Sequence, residues 1–325
     1  NSGQPHQASM GGLYMKDYLS MSNAVRAGAR SASASGANGQ ADLYTVIDIA
    51  DEAAALAGDQ IQYVVVYKAT GPGAGPTDVG GPTAVTLARQ AGELTLQYFR
   101  RDDLAIDRKG DGTPVTAADR GAERLIREEL EARFPDDGIL GEEEAEKIGT
   151  SGRRWIIDPI DGTKAFTHGV PLYTNLLALE DADGIAVGVI NVPALGETVY
   201  AGRGLGCFDN GAPASVNDRE GLDDAYLTSS GLSPWDDDCL LRAKAARCNL
   251  RTWGDGYGYV LVATGRVEAM FDPKAELYDL APMPVIIEEA GGRFTDLAGN
   301  VTPAGGSSLA TNGRIHDELL TVLRG

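Results

Sequence analysis

The run Trp155-Ile156-Ile157-Asp158-Pro159-Ile160-Asp161-Gly162-Thr163-Lys164 constrains this chain more than any other. Apolar β-branched residues lead into two carboxylates and then Gly-Thr, the pattern of a buried strand that empties its acidic end into a loop. Pro159 keeps Asp158 out of the helical region, and Gly162 permits a tight turn. The segment therefore sets carboxylates beside free backbone N–H groups. That pairing suits a hard divalent cation with a phosphate resting against it. Asp-Pro and Asp-Gly are also ordinary turn dipeptides, so the two readings must be separated by the rest of the chain.

A length of 325 residues allows one large domain or two. The formal net charge is −19, which argues against a nucleic-acid partner because backbone binding needs a basic face. Acidity is compatible with phosphate chemistry if bound metal supplies the local positive charge. Cys207, Cys239 and Cys248 form no Cys-x-x-Cys pair and are odd in number, which fits a reduced, cytoplasmic compartment. His6, His168 and His316 are too scattered for a zinc site. No stretch approaches the ~20 apolar residues of a membrane span, and the polar first residues lack a signal-peptide core. No membrane partner is expected.

Residues 1–82 read as an accessory or fusion segment without assignable chemistry. A helix is predicted from Ala41 to Leu56 and a strand from Ile61 to Tyr67, followed by a linker rich in glycine and proline from Gly71 to Pro82. Tyr18 to Arg30 and Gln60 to Ala69 resemble TadE-like pilus-assembly proteins, although the anchoring helix of that family is absent. An interaction role through residues 1–80 is the competing reading.

From residue 83 onward helices and strands alternate, which predicts a layered α/β sandwich. Helices are expected over Thr83–Arg101, Arg120–Arg133, Val260–Thr264 and Ile315–Leu323, and one from Asp279 through Ala290. Strands are expected over Leu172–Glu180, Ile185–Val192, Glu197–Ala201, Ala225–Ser229, Glu268–Phe271 and Arg293–Asp296. The loop from Lys109 to Pro114 runs toward Asp119 at a helix head, where a carboxylate serves either as an N-cap or as a catalytic base. Ile139-Leu140-Gly141-Glu142-Glu143-Glu144 is either a surface charge run or the source of an inward ligand. Asp255, at a glycine-lined helix head, is either a cap or, with Asp272, the partner of a cationic or hydroxylated group. Arg251 suits an oxyanion. His168 reads as structural, because metal-activated water needs no histidine base.

Gly141-Glu142-Glu143, Asp158-Pro159-Ile160-Asp161-Gly162-Thr163, Tyr278-Asp279-Leu280-Ala281-Pro282 and Glu289-Ala290-Gly291-Gly292, taken together and in this order, resemble the inositol monophosphatase superfamily of metal-dependent phosphatases. The resemblance spans residues 83–325 and implies the αβαβα sandwich shared with fructose-1,6-bisphosphatase. It implies two or three Mg²⁺ ions held by Glu142, Asp158, Asp161, Asp279 and the carbonyl of Ile160. It further implies that Asp119 and Thr163 orient the attacking water, and that Lys109 lies in a mobile metal-binding loop. The substrate phosphate would meet Glu142, Asp161, Gly162, Thr163 and Asp279.

Asp161 to Phe166, Trp253 to Tyr259 and Tyr278 to Pro282 are spelled most like the histidinol-phosphate phosphatase branch. That branch acts on a small phosphate ester carrying an amine and an imidazole, which Asp255 and Asp272 would suit electrostatically. Tyr278 in place of tryptophan, and Ala281-Pro282 in place of a small pair, argue against inositol phosphate. A homodimer is compatible with this reading, and a broader inositol-phosphatase-like enzyme is the alternative.

Overall fold

The computed structural model describes residues 81–101, 103–110 and 112–325. The helix and strand expected within residues 41–67, the linker up to residue 80 and the pilus-like runs lie outside the described residues, while Gly81 and Pro82, expected to end the linker, open a helix. Among those that are described, no helix is long and apolar enough to cross a membrane.

The first half comprises α1 (Gly81–Leu96), the hairpin β1 (Ile106–Arg108) and β2 (Pro114–Thr116), α2 (Ala117–Arg133), β3 (Gly138–Gly141), β4 (Arg154–Asp161), α3 (Thr163–Thr167), β5 (Thr174–Asp181), β6 (Gly184–Val192), β7 (Glu197–Gly202), β8 (Gly206–Asp209) and β9 (Ala212–Pro213). Strands β3 to β9 form a seven-stranded sheet in sequence order, antiparallel except for the parallel pair β3–β4. The second half comprises β10 (Tyr226–Thr228), α4 (Asp237–Ala245), β11 (Asn249–Arg251), α5 (Gly256–Ala263), β12 (Ala269–Asp272), α6 (Leu277–Leu280), α7 (Met283–Glu289), β13 (Arg293–Thr295), β14 (Ser308–Thr311) and α8 (His316–Arg324). Its five strands run in the order β11-β10-β12-β14-β13.

Side-chain alternation along the strands sets the layers. On β5 and β6, Leu176 and Ile190 face the middle helices, whereas Asn175 and Asn191, one residue away, face α1. On β12, Met270 joins the core between the sheets, while Ala269 and Phe271 point to the outer one. Helices α5 and α7 fill the gap between sheets with Tyr259, Val260, Leu261, Ile286 and Ile287. Helices α4 and α8 cover the outer face of the small sheet with Ala243, Leu319 and Leu323. The stacking is helix, sheet, helix, sheet, helix.

Helix α1 ends at Leu96 rather than Arg101 and α5 begins at Gly256 rather than Val260, and two further boundaries differ for local reasons. Helix α2 starts at Ala117, capped by Thr116, so Asp119 is not the N-cap but its partner three residues in. The expected helix from Asp279 to Ala290 is two helices, α6 and α7, parted at Ala281-Pro282. Pro282 and Pro284 have no N–H to donate to the preceding turn, which breaks the ladder.

Candidate active site

Residues three apart on a regular strand face opposite sides of the sheet. Asp158 and Asp161 nevertheless point the same way, because β4 carries a bulge between them. Asp158 pairs with Leu176 and Asp161 with Thr174, so three steps on β4 oppose two on β5. The extra residue returns Asp161 to the side of Asp158. Pro159, which has no N–H to lose from the ladder, sits in the bulge. Its carbonyl accepts a 2.6 Å hydrogen bond from buried Asn175 Nδ2, and the Ile160 N–H donates to Asp158 Oδ1 at 3.1 Å.

Asp279 arrives from the other half of the chain on α6. The Glu276 N–H donates to its Oδ2 at 2.8 Å, fixing the carboxylate at the first turn. One ligand atom from each of Asp158, Asp161 and Asp279 lies within 4.8 Å of the others. Glu142 follows β3, whose Gly141 pairs in parallel with Ile157, so Glu142 leaves its strand beside Asp158. The structure thus brings Glu142, Asp158, Asp161 and Asp279 together.

Burial first, then Glu142, Asp161 and Asp279, pushes the Asp158 carboxyl well above the usual range. Asp161 is raised likewise by burial and by Asp255 and Asp279, against the opposing hydrogen bonds from the Gly256 N–H and Thr174 Oγ1. Asp279 is pushed up to about 6, chiefly by burial. Among the described residues, no Lys or Arg forms an ion pair with any of these three. Four carboxylates so crowded favour a multivalent cation over mutual repulsion, and an all-oxygen donor set fits a hard one.

Lys109, at the β1–β2 turn, reaches Glu142 at 2.7 Å and Glu143 at 2.6 Å. Burial opposes its ammonium, but the two glutamates outweigh that effect and its pKa is raised. Glu142 is itself raised, by burial above all, with Lys109 opposing.

Asp119 is fully buried, and its Oδ2 accepts from the Thr116 hydroxyl at 2.6 Å and the Thr116 N–H at 2.8 Å. Its Oδ1 is buried without a hydrogen-bond partner among the described residues. Burial raises the Asp119 pKa, with Glu142 adding to the effect. The Thr163 hydroxyl donates not to Asp119 but to the Ile160 carbonyl, at 3.0 Å. Among the described residues no hydrogen bond joins Asp119 to Thr163; each side chain is held by a nearer backbone or hydroxyl partner.

Asp255 caps nothing, having no capping hydrogen bond at the head of α5. Its backbone takes φ 53° and ψ −156°, a strained conformation for a non-glycine residue. The residue lies against Gly162, where an added Cβ would meet Asp255 Oδ2 at 2.8 Å. Glycine there both tolerates φ 79° and leaves room for that carboxylate. Burial, then Asp272, raises Asp255 to about 7. Buried Asp272 accepts from the Ser230 N–H and from Tyr259 Oη, both at 3.0 Å. Among the described residues Arg251 forms no ion pair with these acids. Its guanidinium lies over Tyr226 at 5.2 Å and Trp253 at 5.6 Å, and it donates to the Leu250 carbonyl. His168 Nδ1 lies 2.8 Å from the Lys164 carbonyl at the end of α3.

Sequence reasoning missed Asn175, Ser230, Tyr259 and Glu123. The first three meet the site only through long-range pairing. Glu123 had a local signal: it precedes Arg127 by one helical turn beside the apolar stripe Ala122, Ile126 and Leu130.

Residues 81–324 match the inositol monophosphatase family. A histidinol-phosphatase of Chlorobaculum parvum is 45% identical over 232 residues, 70% of this chain and 90% of that protein. A histidinol-phosphatase of Mycobacterium tuberculosis is 44% identical over 250 residues, 74% of this chain and 96% of that protein. Among solved structures, the extragenic suppressor protein SuhB of Bartonella henselae superposes with a TM-score of 0.70 at 32% identity, covering 74% of this chain and 96% of its own. Fold, carboxylate geometry and these matches agree, and the chain belongs to the inositol monophosphatase family.

Proposed function

We infer that this chain is a Mg²⁺-dependent histidinol-phosphatase, which hydrolyses L-histidinol phosphate to L-histidinol and phosphate. Membership of the family makes it a phosphomonoesterase. The observation that carries the reading is the convergence of Asp158, Asp161 and Asp279 next to the Asp255–Asp272 pair, in a chain whose histidinol-phosphatase relatives are 40% to 45% identical.

Glu142, Asp158, Asp161, Asp279 and the Ile160 carbonyl would hold the Mg²⁺, which when bound neutralises developing phosphoryl charge and acidifies water. The protein's own groups supply the rest. Asp119 Oδ1 would take the proton released as water attacks, and the Thr163 hydroxyl, held in place by the Ile160 carbonyl, would help orient that water. The raised pKa of Asp119 makes it a stronger base than a solvated aspartate. Among the described residues no serine, cysteine or aspartate stands in a phosphoenzyme context, so direct attack by water is the favoured route.

Substrate choice would rest on Asp255 and Asp272. Burial raises both, with Asp272 adding to the effect on Asp255, so an ammonium or imidazolium placed beside them restores the charged form and is held in return. An inositol ring offers only hydroxyls and gains less. Cysteines 207, 239 and 248, all free, fit a reduced cytoplasmic compartment.

The test is phosphate release at fixed Mg²⁺ from L-histidinol phosphate, inositol 1-phosphate, fructose 1,6-bisphosphate and adenosine 3′,5′-bisphosphate. The reading expects the highest kcat/KM for histidinol phosphate. Preference for inositol phosphate would replace the substrate assignment while leaving the phosphatase intact.

A further inference from the structure

A carboxylate that takes no part in the chemistry above lies fully buried beneath the turn that carries Glu142. Glu123, on α2, is 0% exposed. Its Oε2 accepts the Glu143 N–H at 2.7 Å and its Oε1 the Glu144 N–H at 3.1 Å. Arg127 Nε donates to Oε1 at 2.7 Å, and Arg127 Nη2 reaches on to the Glu144 carbonyl at 3.1 Å. Two successive backbone N–H groups thus clasp one anion, and its counter-ion ties down the next carbonyl.

The fit at Gly141 shows how closely this carboxylate is docked. A Cβ added there would lie 2.0 Å from Glu123 Oε1 and 2.4 Å from Cδ. The glycine before Glu142 is the surface on which the buried carboxylate rests, leaving the Glu142 backbone held from both sides: Gly141 is paired to β4, and Glu143 and Glu144 are bonded to α2.

We propose that Glu123 is a positioning residue for Glu142. It touches neither substrate nor cation, but by gripping the Gly141–Glu144 turn it sets where the Glu142 carboxylate stands relative to Asp158, and hence how tightly the site holds a divalent cation. The proposal rests on the reading of Glu142 as a ligand. A group that fixes a ligand changes cation affinity roughly tenfold to a hundredfold when removed.

Binding of Mn²⁺, followed by electron paramagnetic resonance on chelated and reconstituted full-length protein, tests this apart from turnover. Glu142→Gln establishes whether Glu142 is a ligand at all. Glu123→Gln should weaken Mn²⁺ binding roughly tenfold or more, and Glu123→Asp, which keeps the charge, should recover part of it. The double variant Glu123→Gln/Arg127→Gln removes the buried charges together and guards against loss of folding. It should regain thermal stability yet keep the weak Mn²⁺ affinity. Glu129→Gln breaks the other i,i+4 pair of the same helix, with Arg133 at 2.9 Å, and should leave Mn²⁺ affinity unchanged. If Glu142→Gln weakens binding but Glu123→Gln and the double variant bind like wild type, Glu123 is merely structural and the proposal is overturned. If Glu142→Gln itself binds like wild type, the ligand reading has failed and the proposal with it.

Discussion

Glu123 on helix α2 and Asp158 on strand β4 are both buried carboxylates, yet they are satisfied in opposite ways. Glu123 receives a guanidinium and two backbone N–H groups. Asp158 receives one backbone N–H and faces three other acids, with no Lys or Arg paired to it among the described residues. A buried ion with its counter-ion is a structural device, because breaking it strands a charge in low dielectric. A buried cluster of like charges instead raises its own pKa values and gains by taking a cation from outside. The contrast separates scaffold from site without appeal to any motif.

The sharpest way to break the comparison is Asp158→Asn. Metal-dependent hydrolysis should fall roughly a thousandfold, the several kcal/mol expected of charge stabilisation at the phosphoryl group. The melting temperature of the chelated protein should hold or rise, since a repulsive buried charge is removed. Loss of folding would place Asp158 with the scaffold. Glu123→Gln should do the reverse to stability: urea unfolding of the chelated protein should show a loss of about 4 kcal/mol, the cost of a broken buried pair.

His316 sharpens the comparison with a buried group that stays neutral. Its ring nitrogens lie 3.0 Å from the hydroxyls of Thr295 and Thr311. Burial first, then Arg293, lowers its pKa from 6.5 to about 4. Below pH 6.5 the unfolded chain takes up a proton that the folded chain refuses, so this contribution to stability is whole above that pH and is lost as pH falls toward 4. The loss should total about 3 kcal/mol, measured as the difference in acid slope between wild type and His316→Gln. Equal slopes would contradict a neutral buried ring.

Gly256→Ala should have a smaller effect. Its Cβ would meet Thr174 Oγ1 at 2.3 Å and Asp161 Oδ2 at 2.8 Å, displacing the carboxylate. The Mg²⁺ concentration for half-maximal rate should rise roughly tenfold. Least of all, Glu129→Gln should shift stability by less than about 0.5 kcal/mol, as exposed helix pairs do.

Much of the site was legible before any coordinates. The acids at 142, 158 and 161 stand where strand-like runs end and Asp279 opens a helical one, and the motifs that hold them, taken in order, resemble the family. The bulge was not legible, because it is defined by pairing with Leu176 and Thr174 on another strand. The same holds for Asp255 against Gly162, two residues far apart in sequence and brought together by a strained backbone. In the fold, strand β14 hid in a stretch rich in glycine and serine, since its strand character comes from lying between β12 and β13 rather than from its composition. Helix α4 was missed for a simpler reason: nine residues, two of them acids at the start, carry little apolar periodicity.

The central claim, that crowded carboxylates from both halves of the chain form a cation site for phosphoester hydrolysis, is tested most directly by chelation and reconstitution. Phosphate release from L-histidinol phosphate is measured on protein stripped with EDTA, then after adding back Mg²⁺. The account expects the stripped protein to be inactive and Mg²⁺ to restore turnover. Hydrolysis that continues undiminished after stripping would contradict it.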